Sequence, residues 1–151
     1  MRYILLTLFF MVLALDGVAQ ENDKQLAQHY FSSEEFDKAR IYYERLYDED
    51  HSKFYFNRLL LCMQEVGSDK EIEKLLKRQV SYNRGNQEYQ IQLAKHYETI
   101  GNLTKANKIY ENLISKLQPR SGDIIALFNA FKSQGKSDLA FQALQKGRRL
   151  L

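Results

Sequence analysis

From residue 21 onward the apolar positions return in pairs of segments at helical spacing, each pair divided by a polar turn. The first segment of a pair holds a large, a small and an aromatic residue, as in LAKHY at Leu93 to Tyr97. In the second, a small residue precedes an aromatic or aliphatic one by four places, one helical turn on and on the same face. The small or aliphatic members fall at Ala39, Ile72, Ala106 and Ala140, in steps of 33, 34 and 34. Their companions are Tyr43, Leu76, Tyr110 and Leu144. Gly67, Gly101 and Gly135 mark turns 34 residues apart, and LAQHY at Leu26 to Tyr30 returns as LAKHY two repeats later. The pattern predicts four helix-turn-helix units at about 21–52, 53–86, 87–120 and 121–151, a period typical of stacked helical repeats.

Packing explains the residue types. Two antiparallel helices approach to ~8–10 Å only where a small side chain faces a large one. Ala27, Ala39, Ala94, Ala106 and Ala140 are the expected small members, and Tyr30, Tyr43, Tyr97, Tyr110 and Phe131 their large partners. In the first unit Ser32 to Glu35 stands where later units use glycine. Ser68 and Glu71 have capping-box spacing, Gly85 is expected to end a helix, Pro119 cannot continue one, and Ser137 is a candidate N-cap.

These units resemble the tetratricopeptide repeat (TPR) over roughly residues 20 to 151, most specifically in the first and third units. Leu60, Ile72 and Phe128 replace small residues of the family pattern, its tryptophan is absent, and its proline survives as Pro119, one place late. The resemblance implies an all-α, right-handed superhelical array of about four TPR-like repeats, following a signal peptide in this chain. It also implies a protein-interaction scaffold that binds a protein or an extended peptide on its concave face, not an enzyme.

Residues 1–20 stand apart, with Arg2, then an uncharged run of 13 from Tyr3 to Leu15, then Asp16 and the small Gly17, Val18 and Ala19. That is the layout of a secretory signal, with cleavage expected after Ala19 or Gln20. The run falls short of the ~20 residues that span a bilayer as a helix. Export to a periplasmic or secreted location is therefore expected, the alternative being an inner-membrane anchor at residues 3–15. Contact with a membrane is expected only if the segment is not cleaved.

In an oxidising compartment the single Cys62 has no internal partner, and within LLLCM it reads as a small core residue. The formal charge of +3 comes from 22 basic and 19 acidic residues interleaved along the helices. Such a chain lacks the dense basic stripe of a nucleic-acid binder. His29 and His96 occupy equivalent places two repeats apart and are expected to be structural, and His51, beside Asp48 to Asp50, reads as a solvated turn. With no nucleophile motif and no phosphate-cradling loop, no catalytic residue, metal or cofactor is expected.

The family uses the first helix of each repeat to line its groove. Counting from the core positions, the outward faces are Lys24, Gln28 and Phe31; Asn57, Leu61 and Gln64; Ile91, Lys95 and Glu98; and Ile125, Asn129 and Lys132. The four apolar members are either ligand contacts or contacts between neighbouring first helices. The terminal-carboxylate clamp known in this family is matched poorly, with Gln28 in place of asparagine and Glu88 and Gln92 in place of basic residues. The final GRRLL lacks the polar cap that ends repeat arrays, so an alternative is the N-terminal arm of a larger enzyme or sensor.

Overall fold

The computed structural model describes residues 21–151, so the expected signal segment lies outside the described residues. Among them are eight helices and no strand: α1 (21–32), α2 (Phe36–Asp50), α3 (Lys53–Val66), α4 (Asp69–Tyr82), α5 (Gln87–Thr99), α6 (Leu103–Ser115), α7 (Ser121–Ser133) and α8 (Ser137–Leu150). No described helix is long and apolar enough to cross a membrane. The chain divides into two compact units, one ending at Glu71 and one starting at Ile72.

The first unit is held by aromatic side chains. Tyr30 of α1 stacks on Tyr42 of α2 with ring centroids 5.7 Å apart, and Tyr47 of α2 meets Phe56 of α3 at 6.2 Å. Ala27 and Ala39 are wholly buried, as the small members of the pattern should be. Burying a ring such as Phe56 stabilises by ~1.5–3 kcal/mol, and truncating it to alanine would cost ~3–5 kcal/mol. In the second unit α5 packs on both α6 and α7, and α7 on α8. Ala94, Ala106, Ala140, Leu127 and Phe131 are fully buried there.

Three of the turns share one hydrogen-bonded form. The carbonyls of Tyr30, Tyr97 and Phe131 accept the N–H groups of Glu35, Asn102 and Lys136, each five residues on, at 2.9, 2.7 and 2.9 Å. This is the Schellman closure, which needs a left-handed residue just before the donor. Gly101 (φ 77°) and Gly135 (φ 75°) supply it, and in the first repeat Glu34 does so at φ 59°. Gly67 shares their period but not their conformation: it is extended (φ −92°, ψ 172°), and its N–H donates to the Met63 carbonyl at 2.9 Å. After it, the Glu71 carboxylate accepts from both the N–H and the hydroxyl of Ser68 at 2.9 Å, completing the expected capping box.

Two local expectations are corrected. Ser137 is not an N-cap: Lys136 holds the capping position with no side-chain bond, because the preceding turn delivers the chain to helical geometry at Ser137. His51 is not a solvated turn residue but the left-handed C-cap of α2 (φ 50°), with Nδ1 2.6 Å from the Tyr47 carbonyl and its ring edge-on to Tyr47.

Candidate functional site

A cleft of about 710 Å³ lies in the first unit between α1 and α3, floored by α2. Three of the expected outward residues, Lys24, Gln28 and Phe31, line it. Phe36, Tyr43, Phe54, Tyr55 and Arg58 complete its aromatic wall. Phe31 is fixed edge-on to Phe36 and Tyr43, at 5.5 and 5.8 Å between centroids, so the wall is preset by the packing of α1 on α2. Phe54 remains 57% exposed at the mouth.

Arg58 stands beside two of the rings. Its guanidinium carbon is 4.5 Å from the centroid of Phe31 and 5.5 Å from that of Phe54, within cation–π range. The other described arginines of this unit face acids: Arg40 pairs with Glu71, and Arg45 reaches Asp23 at 3.5 Å. Among the described residues Arg58 forms no hydrogen bond or salt bridge. Burial pushes the Tyr43 hydroxyl above its ordinary pKa, and the Arg58 cation opposes that shift.

The remaining expected contacts divide. Asn57, Leu61 and Gln64 are exposed on α3, with Leu61 at 46%, as are Ile125, Asn129 and Lys132 on α7. Ile91 corrects the count, since it is 0% exposed. Tyr89, Ile91, Leu93, Ala94 and Tyr97 are all buried, an arc wider than one amphipathic stripe, because α5 is covered by α6 and α7 together. Glu98 is half-buried and pairs with Lys136, whose Nζ lies 5.6 Å from the Tyr110 ring centroid, so it ties α5 to the start of α8. Lys95 is half-buried. Asn129 lines a smaller cleft of about 460 Å³ with Glu88, Ala126 and Ser133.

Phe54 and Arg58 were absent from the expected set. They precede the exposed Leu61 at spacings of seven and three, which places all three on one face of α3. A count from the Phe54 side would have found them, whereas the count from the core chose Asn57 and Gln64. Among the described residues no group of three or more His, Cys, Asp or Glu side chains could hold a metal ion.

The arrangement of helix pairs resembles two crystal structures of MamA. One has a TM-score of 0.51 and 17% identity, covering 89% of this chain and 74% of the MamA chain. The other has a TM-score of 0.50 and 19% identity, covering 93% and 83%. The fold is TPR-like. At such identity the likeness is one of fold alone. No protein-family model matches the sequence, and no curated protein matches it.

Proposed function

We propose that this chain is an exported protein-interaction scaffold that takes an extended segment of a partner protein along the cleft between α1 and α3. The observation that carries the reading is the cleft itself: an aromatic wall preset by internal packing, open to solvent at Phe54 and flanked by polar Lys24 and Gln28. Aromatic residues beside an arginine are the types that most often dominate binding energy at interfaces. A TPR-like array supports interaction as its general role. The arrangement of Arg2, the uncharged run Tyr3 to Leu15 and the small residues before Gln20 supports export.

Photo-crosslinking tests the docking reading. A photoreactive phenylalanine analogue replaces Phe54 in one protein and Ile41, exposed on α2 outside the cleft, in another. Each is mixed with a library of short, end-blocked peptides. Peptides should crosslink at position 54 and not at 41, and Phe31→Ser should abolish capture. Equal crosslinking at both positions, or none, overturns the proposal. For export, the mature protein should begin at Gln20 or Glu21 by mass spectrometry, and secreted material retaining Met1 would refute it.

A further inference from the structure

Resting on that docking reading, we propose that the cleft is selective for a side-chain carboxylate: Arg58 reads an Asp or Glu of the bound segment, with an apolar residue two places away from it. A guanidinium against two rings loses part of its water shell, yet here it gains no acid among the described residues in return. Cations in such surroundings attract a carboxylate strongly, because the local dielectric is low and the planar fork can donate two parallel hydrogen bonds. The nearby charges favour a single acid. Lys24 already lies 3.8 Å from Glu21, and Glu34 lines the same cleft and would repel a second negative group.

The rings beside Arg58 select an acid that has an apolar neighbour. The ring centroids of Phe31 and Phe54 lie 4.5 and 5.5 Å from the guanidinium carbon, so both rings border the place a bound carboxylate would take. An extended segment points alternate side chains to one face, ~6.5–7 Å apart. A carboxylate over Arg58 then brings one same-face neighbour, at i−2 or i+2, against a ring. The motif read is Asp or Glu with an apolar residue two places before or after it.

The test uses the full chain and an array of short peptides randomised at each position, one arm with blocked ends and one with a free C-terminus, at physiological salt. The wild type should enrich Asp or Glu with an apolar residue at i−2 or i+2 in the blocked arm. Changing that acid to its amide in the best peptide should weaken binding about tenfold or more. Arg58→Gln should remove the acid preference while keeping the apolar one, and Arg58→Glu should reverse it toward Lys or Arg. Thermal melts of both variants check folding, which should hold because among the described residues Arg58 makes no ion pair whose loss would unfold the unit. Peptides captured without acid preference, or with the same preference in Arg58→Gln, overturn this inference and leave the docking reading standing. Selection confined to the free C-terminal arm overturns it in favour of a chain end. No capture in either arm overturns the docking reading as well.

Discussion

Exchanging glycine for alanine should have opposite effects at two positions of the second unit. Gly147 is buried on α8, and a Cβ there would lie 2.6 Å from Cγ2 and 2.7 Å from Cγ1 and Cδ1 of Ile124 on α7. Carbon atoms ordinarily rest ~3.5–4.0 Å apart. Ile124 is only 5% exposed and has little room to swing aside, so the helices must part or a rotamer must strain. Overpacking of this kind costs ~1–3 kcal/mol. Alanine returns up to ~1 kcal/mol of helix propensity, less in a last turn, which leaves Gly147→Ala destabilised by about 0.5–2 kcal/mol. At Gly122, in the first turn of α7, an added Cβ meets no heavy atom within 4 Å, so Gly122→Ala should stabilise by ~0.4–1 kcal/mol. Urea unfolding followed by far-ultraviolet circular dichroism measures both. Ile124→Ala removes all three clashing atoms, so the double variant should be more stable than the sum of the two single changes by about 1 kcal/mol or more. If Gly147→Ala stabilises as Gly122→Ala does, or if the two changes simply add, the close approach of α7 and α8 is not what requires glycine.

Leu61→Ser should cost under about 1 kcal/mol, whereas Ile91→Ser should cost ~3 kcal/mol or more, because it opens a cavity and buries a hydroxyl; equal melting temperatures would return Ile91 to the surface. Glu34→Gly should raise stability by about 0.5–1 kcal/mol by relieving a left-handed glutamate, and Gly101→Ala, at φ 77°, should lower it by a similar amount; the same chemical denaturation checks both, and a loss at Glu34→Gly would sink the strain argument. The Ser68 N–H, the Arg40 guanidinium and the Ser68 hydroxyl hold the Glu71 carboxyl down at about 2, against an ordinary 4.5. The folded value is the depressed one, so this group's contribution is full above about pH 4.5 and is lost as pH falls toward about 2. Glu71→Gln should therefore flatten the acid limb of the stability profile in thermal melts, and an unchanged limb would show that the carboxylate has no such role.

The fold was legible because each repeat encodes its packing locally: Ala39 with Tyr43, and Ala106 with Tyr110, declare which helix faces meet, and all four are buried. Turn chemistry was half legible. The spacing of Gly67 with Gly101 and Gly135 suggested three alike, yet only the later two need a left-handed residue, and Glu34 adopts that conformation without the glycine signal. The site was harder to read because exposure depends on how many neighbours a helix has. Leu61 and Ile91 are alike by count, but α5 lies against two partners within its unit and Ile91 disappears beneath them. Arg58 was hidden for a different reason. As the one charge between Lys53 and Glu65 it looks like any solvated cation at the edge of an apolar helix, and only the rings of Phe31 and Phe54, one of them on another helix, set it apart.

The buried sulfur of α3 gives the molecule an internal clock. Cys62 is fully buried, and burial pushes its thiol up to about 11. Only the thiolate reacts readily with an alkylating reagent, so at neutral pH modification must wait for the surrounding helices to separate. With one cysteine in the sequence each molecule can be tagged once, and with no tryptophan it lacks the usual fluorescent reporter of unfolding. The rate at which mass accumulates on Cys62, divided by the rate for the unfolded chain, is then the fraction of time the first unit stands open. Measured with and without a bound peptide, that ratio would show how far occupancy of the cleft holds the unit shut.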